Sequence, residues 1–320
     1  MSDVRMPPAR TLAEYRAIYH REDLWRPAVD EVRARHGFER APCERGPDGT
    51  HLVYFLGAAH VLKLFVPLFA RDYDAERLAA ARVDGGIGVS TPKIVFEGEV
   101  GGWRYLIMTC VAGCPLETVW AGVDTAGRER VLAGIGRMIA RLRSLPVTGL
   151  DELAVDWSPF VEVRAEAAAR TQLERGLPKR LAEQIPAYIE AARPFIATGF
   201  RPALLLADIT GEHVLLHERG GSWEIAGCVD FGDAMVGDPD YEIVAPGTGI
   251  AAGDGALLRA LLVAAGYREQ DFGEALRRRF MAYTLMHLYA GVEDLRRTVP
   301  DAAAAESIEE LARVLWPLAA

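Results

Sequence analysis

The chain has 320 residues, half of them hydrophobic and a quarter charged, with a net charge of −9 at neutral pH. This composition is typical of a folded globular protein and excludes a disordered tail, a collagen-like fibre and a disulfide-stapled mini-protein. The length predicts about two lobes with a cleft between them, and the acidic balance favours a cationic or metal-bound ligand over nucleic acid.

The sequence predicts a cytoplasmic protein without a membrane partner. Four cysteines, at positions 43, 110, 114 and 228, are few enough for a reducing compartment and are read as buried small hydrophobic residues. The first ten residues lack the apolar core of a secretory signal. The longer uncharged stretches, such as 243–253, are far shorter than the ~20 residues that cross a bilayer.

The first third of the chain is predicted to form a small β-rich lobe. Residues 11–36 show two helical patterns, and the Gly57-Ala58-Ala59 connection joins two β-rich runs into a hairpin. The strands are predicted at 51–56, 60–66, 93–97 and 103–111, and a helix at 72–83. These elements define an N-lobe over residues 1–110.

The rest of the chain, residues 111–320, is predicted to form a larger helical C-lobe with a β insertion. Helical periodicity occurs at 124–145, 158–176, 178–198, 255–266, 270–295 and 302–316, the last capped by Asp301. Three strand-like pieces interrupt the helices, at 204–206, 214–216 and 223–229. The predicted fold class is therefore α+β, with two lobes.

Four charged residues are the candidates for catalytic chemistry. Lys63 lies inside an apolar strand, and Glu76 lies on the following helix. Asp208 follows a buried strand, and a second carboxylate, Asp230, begins an Asp-Phe-Gly triplet. Phosphoryl transfer needs a carboxylate near the attacking oxygen, oxygen ligands for Mg²⁺ and a cation on the phosphates. Each residue alone has an ordinary structural explanation, but their order and spacing together indicate a phosphoryl-transfer site.

Several glycine-containing segments resemble phosphate loops. Residues 85–88 follow a helix and precede a strand, the wrong order for a dinucleotide site, and are read as a connector. The loop that covers a nucleotide is either the hairpin around Gly57 or the segment 46–49.

With these motifs the chain resembles the aminoglycoside phosphotransferase family, which has the bilobal protein-kinase-like fold. The segments that carry the resemblance are 61–65 around Lys63, 105–113, 206–213 around Asp208, 229–234 around Asp230, and the Gly-Asp-Pro signature at 237–242. The resemblance implies a γ-phosphoryl transfer from ATP or GTP, with Mg²⁺, to a small-molecule acceptor.

The resemblance also assigns roles to individual residues. It implies phosphate binding by Lys63, orientation of Lys63 by Glu76, adenine binding through backbone groups of Thr109 and Val111, proton acceptance by Asp208, and metal binding by His213 and Asp230. Two positions depart from the family pattern: Leu206 stands where a His is usual, and His213 where a Mg²⁺-binding Asn is usual. Imidazole suits Mg²⁺ less well than an amide oxygen does, so either His213 binds the metal weakly or it contacts phosphate.

The acceptor is predicted to be a cationic aminoglycoside. Segments 23–27, 139–149 and 280–293 are similar to enzymes that phosphorylate the 7″-hydroxyl of hygromycin B. Four acidic residues, Asp271, Glu274, Glu293 and Asp294, are read either as acceptor ligands or as solvated helix faces. The alternatives are a kinase of a nucleoside antibiotic, sugar or amino alcohol, and a non-catalytic nucleotide-binding pseudokinase. The chain is expected to be a monomer or weak dimer.

Overall fold

The computed structural model describes residues 4–196 and 199–318, which form two compact units. The first unit contains residues 4–84 together with Ser90–Val111 and Asp230–Asp233. The second contains Gly85–Val89, Ala112–Val229 and the chain from Ala234 onwards. The predicted division between residues 110 and 111 stays a prediction. The start of the predicted N-lobe (residues 1–3), the end of the predicted C-lobe (319–320) and the end of the helix predicted at 178–198 lie outside the described residues.

The first unit is built on a five-stranded antiparallel sheet in the order β1-β2-β3-β5-β4. Its strands are β1 (Cys43–Arg45), β2 (Leu52–Leu56), β3 (His60–Phe65), β4 (Ile94–Val100) and β5 (Trp103–Thr109). Its helices are α1 (Leu12–Ile18), α2 (Glu22–Arg35) and α3 (Ala70–Val83). The predicted helices and the predicted hairpin are confirmed, whereas the three-residue strand β1 was not predicted.

The alternation of side chains along β3 gives the sheet two covered faces. Leu62 and Leu64 belong to one core cluster together with Trp25 of α2. Phe65 belongs to a second cluster together with Tyr73 of α3. Lys63 therefore projects on the α3 side of the sheet, where the neighbouring positions of its own strand are apolar.

The second unit is mainly helical and carries two small sheets. Its helices are α4 (Leu116–Val119), α5 (Thr125–Ser144), α6 (Trp157–Glu174), α7 (Lys179–Ala182), α8 (Ile185–Ala192), α9 (Gly255–Ala264), α10 (Glu274–Met286), α11 (Val292–Thr298) and α12 (Ile308–Leu315). Its strands are β6 (Cys114–Pro115), β7 (Ala203–Leu205), β8 (Val214–Arg219), β9 (Ser222–Cys228) and β10 (Met235–Gly237). The strands pair as β6-β8-β9 and as β10-β7.

Three of the predicted helices are shorter or broken. The one predicted at 178–198 becomes α7 and α8, with Pro186 in the first turn of α8, where its missing N–H costs nothing. The one predicted at 270–295 becomes α10, which ends at Met286, and the start of α11 at Val292. The Arg164 side chain donates to the carbonyls of Met286 and His287 at the break. The Asp301 side chain makes no capping hydrogen bond, and its backbone is left-handed. Helix α12 begins instead after Ser307, whose hydroxyl accepts from the Glu310 amide.

None of the helices in the described part of the chain is both long enough and apolar enough to cross a bilayer.

Candidate functional site

The Lys63 ammonium is the centre of a buried charged cluster in the first unit. Its Nζ lies 2.8 Å from Glu76 Oε2 and 2.8 Å from Asp230 Oδ1. The Lys63 and Glu76 side chains are almost completely buried, whereas that of Asp230 is 41% exposed. Lys63 lies on strand β3, and Glu76 lies on α3, 13 residues later in the chain. The predicted Lys63–Glu76 pair therefore forms, and Asp230 joins it from a distant part of the chain.

The electrostatics of the cluster keep Lys63 charged. Burial alone lowers the pKa of Lys63, but the adjacent Asp230 and Glu76 carboxylates outweigh it and raise that pKa above its usual value. Burial raises the pKa of Glu76, and the Lys63 ammonium opposes that rise. Removing one partner of a buried pair leaves an uncompensated charge, at a cost of about 3–5 kcal/mol. The cluster thus maintains a cation beside a partly exposed carboxylate.

Glu76 also positions the backbone of the Asp-Phe-Gly segment. The amide of Phe231 donates to Glu76 Oε2 at 3.1 Å, so one carboxylate oxygen contacts both the ammonium and this backbone. Asp230 has a φ of +63°, in the left-handed region that aspartate tolerates better than most residues. The amide of Gly232 lies 3.3 Å from Asp230 Oδ1. The turn thereby presents the Asp230 carboxylate beside Lys63.

Thr109 and Val111 lie at and just beyond the end of β5. The Thr109 amide donates to the Lys93 carbonyl at 2.9 Å, and its hydroxyl accepts from the Lys93 amide at 2.9 Å. The next amide, of Cys110, donates to the carbonyl of Ala59. Because the Thr109 amide is used within the sheet, a ligand contact through its backbone would have to use its carbonyl.

Asp208 and His213 belong to a tightly bonded loop of the second unit. His213 Nδ1 lies 2.9 Å from the Asp208 carbonyl and 3.3 Å from Asp208 Oδ2. A carbonyl only accepts, so Nδ1 carries the hydrogen, and metal binding by His213 would have to use Nε2. Thr210 closes the turn, its amide donating to the Asp208 carbonyl at 2.9 Å. The Asp208 side chain is 20% exposed.

Glu242 supports this loop by accepting from its backbone, a contact that the sequence did not suggest. Both of its carboxylate oxygens accept from the Ala207 amide, at 3.2 and 3.3 Å. Ala207 has a φ of +63°, which costs a non-glycine residue about 1–2 kcal/mol. Burial raises the pKa of Glu242 to about 7, against the amides of Ala207 and Leu206 and the Arg143 cation, which lower it. Glu242 therefore stabilises a strained backbone immediately before Asp208.

The other carboxylates of the Gly-Asp-Pro segment stabilise its fold. Asp238 accepts from the amide of Asp240 and from the hydroxyl of Tyr283. Burial raises the pKa of Asp238 to about 6, with Asp240 adding to the rise. Asp240 itself pairs with Arg279 and accepts from the Tyr267 hydroxyl. These contacts make Asp238 and Asp240 structural carboxylates of the segment.

The predicted site residues thus form two groups, one in each unit. Lys63, Glu76 and Asp230 belong to the first unit, and Asp208 and His213 to the second. Across residues 4–196 and 199–318, no three His, Cys, Asp or Glu side chains are grouped so as to hold a metal ion.

The four acidic residues considered as acceptor ligands all pair with nearby arginines. Asp271 pairs with Arg268, and Glu274 with Arg277 and Arg278. Glu293 pairs with Arg296 and Arg297, and Asp294 lies 4.0 Å from Arg297. The pairing agrees with the alternative interpretation of these residues as helix-face charges.

Comparison with known proteins adds two findings. The model of the phosphotransferase enzyme family matches residues 43–283. A GDP complex of aminoglycoside 2′-phosphotransferase-IIIa is similar in fold, with a TM-score of 0.70 at 19% identity over 90% of this chain and 97% of that one.

Two further structures share the fold. A GDP and kanamycin complex of an APH(2″) enzyme has a TM-score of 0.64 at 19% identity, over 88% of this chain and 96% of that one. The ADP-bound aminoglycoside phosphotransferase APH(2″)-Ib has a TM-score of 0.57 at 16% identity, over 89% and 98%. The predicted kinase-like α+β fold is confirmed, with its small β-rich part and its larger helical part.

Proposed function

The chain belongs to the phosphotransferase enzyme family, and from this premise we propose that it transfers the γ-phosphoryl group of ATP or GTP to a hydroxyl of an aminoglycoside. The observation that carries the proposal is the buried Lys63 ammonium held between Glu76 and the partly exposed Asp230. Burying a charged ammonium costs free energy, and a role in binding the nucleotide phosphates would explain why this one is buried.

The nucleotide would lie on the α3 side of the sheet. Register places Val53 and Leu106 opposite Lys63, and Val61 opposite both Phe55 and Met108, so an apolar surface adjoins the ammonium. Phe55 is 36% exposed, and a purine ring would cover such a surface. Lys63 would contact the α- and β-phosphates, oriented by Glu76, while Thr109 and Val111 would offer backbone groups to the purine.

The donor chemistry of Asp230 fits Mg²⁺. Mg²⁺ usually takes one or two carboxylates, completing its shell with phosphate oxygens and water. Asp230 supplies a partly exposed carboxylate, and His213 offers only an imidazole nitrogen, the poorer match. Asp230 would therefore carry most of the protein's share in holding the metal, with His213 in the lesser role. When bound, Mg²⁺ neutralises the charge of the phosphates.

Asp208 would orient the acceptor hydroxyl and accept its proton. The hydroxyl oxygen forms a bond to the γ-phosphorus as the bond to the β-phosphate oxygen breaks, and the proton passes to the Asp208 carboxylate. His213 Nδ1, 3.3 Å from Asp208 Oδ2, restricts the rotation of that carboxylate. Most of the rate enhancement would come from positioning and from stabilisation of charge.

Hygromycin B is the acceptor we place first. The fold is shared with enzymes solved with GDP and kanamycin and with ADP, and the net charge of −9 suits a polycationic substrate. The arginine pairing of Asp271, Glu274, Glu293 and Asp294 favours a second candidate, a kinase of a less cationic sugar or amino alcohol.

The test is an acceptor screen with the purified protein, using Mg-ATP and Mg-GTP and read by mass spectrometry. Hygromycin B comes first, then other aminoglycosides, nucleoside antibiotics, sugars and amino alcohols. Asp208→Asn is expected to lower turnover by a factor of about 10²–10⁴, because it removes the proton acceptor and keeps the shape. Retained turnover in this variant would refute the role of Asp208. Nucleotide binding without turnover on any acceptor would indicate a pseudokinase.

A resistance assay in a sensitive host separates the two kinase candidates. Expression that protects against hygromycin B, and loses protection with Asp208→Asn, supports the aminoglycoside reading. A phosphorylated sugar or amino alcohol in the screen, with no resistance, supports the alternative.

A further inference from the structure

The loop between β1 and β2 lies at the end of the β2–β3 hairpin nearer to Lys63. Val53 pairs with Lys63 across the hairpin, and the Gly46 amide donates to the Val53 carbonyl at 2.8 Å. The Gly57 turn lies at the opposite end of the same hairpin, where Leu56 pairs with His60. Of the two loops considered from the sequence, the segment 46–49, with Thr50 completing the loop, therefore lies nearer to Lys63.

Two tyrosines of the N-terminal helical region hold this loop. Tyr15 on α1 donates its hydroxyl to the Thr50 carbonyl at 3.0 Å. Tyr19, the residue after α1, accepts from the Gly49 amide at 2.8 Å. Both rings are more than nine-tenths buried, although residues 47–50 themselves are exposed. An exposed Gly-Pro-Asp-Gly loop is thus bonded to the protein's interior at its C-terminal end.

The two tyrosines are themselves well fixed. Their rings meet edge-on at 5.5 Å, and the Tyr15 ring packs against Trp25 and Trp103. The carbonyl of Tyr19 accepts from the Trp25 indole at 2.9 Å and from Arg45 at 3.1 Å. Because neither hydroxyl can move far, both hydrogen bonds restrict the loop and not the tyrosines.

We propose that Tyr15 and Tyr19 are positioning residues for the nucleotide, which hold the 46–50 loop in the conformation that receives the triphosphate beside Lys63. The inference rests on the proposed phosphotransferase function. A loop with two glycines loses conformational entropy when it orders around a ligand. The tyrosines restrict it before the ligand arrives, so the ligand binds more tightly. They touch neither nucleotide nor acceptor in this role.

The experiment removes the hydroxyls and keeps the rings, with Tyr15→Phe, Tyr19→Phe and the double variant of the full chain. The first measurement is hydrogen exchange of the Gly49 amide without nucleotide. The second is the Kd of ADP with Mg²⁺, followed by KM and kcat. Tyr54→Phe is the matched control, since its hydroxyl lies in the same core but contacts Glu22 of α2 and Arg45 of β1 and not the 46–50 loop.

The proposal expects faster exchange at Gly49 in Tyr19→Phe. It also expects a Kd for Mg-ADP about tenfold higher in the double variant, the size that the loss of one or two hydrogen bonds allows. The kcat should stay within about twofold, and Tyr54→Phe should match the wild type in Kd. A purely structural role for the hydroxyls would lower stability without raising the KM for the nucleotide at an unchanged kcat.

Two results overturn the proposal while leaving the proposed function intact. One is unchanged exchange at Gly49 in Tyr19→Phe. The other is faster exchange with an unchanged Kd for Mg-ADP in the double variant. If the wild-type protein binds neither ADP nor GDP with Mg²⁺, the proposed function fails and the inference fails with it, even where exchange confirms the Tyr19 bond.

Discussion

One carboxylate oxygen of Glu76 links two parts of the proposed site. Its Oε2 accepts from the Lys63 ammonium and from the Phe231 amide, so the same atom orients the cation and the backbone that presents Asp230. The side chain is 1% exposed, and water cannot replace it. A single substitution there should disturb both the phosphate-binding and the metal-binding parts of the proposed site.

Glu76→Gln is expected to lower kcat/KM for the nucleotide by about tenfold to a hundredfold, corresponding to the about 1.5–3 kcal/mol of a hydrogen bond to a charged group. The amide keeps the shape and one acceptor, but it removes the charge that holds Lys63. Steady-state kinetics with varied Mg-ATP measure the loss.

Glu97→Gln, on the exposed part of β4, is the control and should retain wild-type kcat/KM. Equal values of kcat/KM for the wild type and Glu76→Gln would contradict a role of Glu76 in nucleotide binding.

Residues with a local signature were the ones that the sequence revealed. Lys63 is a charge inside an apolar strand, and Asp208 follows a buried strand, so their immediate neighbours make each conspicuous. Glu242 has no such signature, because its partner Ala207 is 35 residues away and uses only a backbone amide. The contact of Tyr19 with the Gly49 amide, 30 residues distant, is hidden for the same reason.

The turn before Asp208 combines backbone strain with a buried acid. Ala207 is left-handed, and Glu242 bonds to its amide from the 3₁₀ turn Tyr241–Ile243. Burial raises the pKa of Glu242 to about 7, from an ordinary value of 4.5. Between these values the folded protein holds a proton that the unfolded chain releases, so this group's contribution to stability falls as pH rises.

Glu242→Gln should therefore become more stable relative to the wild type as pH rises from 5 to 8. The glutamine keeps an acceptor for the Ala207 amide and carries no charge to bury. The difference in the free energy of unfolding is expected to grow by about 3 kcal/mol across the window, at about 1.4 kcal/mol for each unit of pKa shift. Urea unfolding at pH 5, 6, 7 and 8 measures it.

Glu218→Gln, on the exposed end of β8, provides the reference. A Glu242→Gln difference as flat with pH as that of Glu218→Gln would mean that Glu242 is not a buried acid with a raised pKa.

Periodicity predicted the existence of the long helices but not where several of them end. The break after Met286 depends on Arg164 of α6, which supplies donors to carbonyls that would otherwise need a continuing helix. Such a partner, more than 120 residues away in sequence, leaves no periodic signal. Strands β6 and β10 have two and three residues, too few for alternation to be visible.

The core of the first unit depends on aromatic packing between α2 and the sheet. Trp25 is completely buried, its ring centroid lies 5.4 Å from that of Trp103, and its indole donates to the Tyr19 carbonyl. The first unit also contains Asp230–Asp233, held by Lys63 and Glu76. The stability of this core and the placement of Asp230 are therefore linked.

Trp25→Ala is expected to destabilise the first unit by about 3–5 kcal/mol, because it leaves a large cavity among buried rings. Hydrogen exchange should accelerate most in residues 4–84, in Ser90–Val111 and in Asp230–Asp233, which belong to that unit. Leu261→Ala, fully buried on α9, is the mirror control and should accelerate exchange most in the second unit. If both variants accelerated exchange evenly along the chain, the two units would unfold as one, and the link between Trp25 and Asp230 would lose its basis.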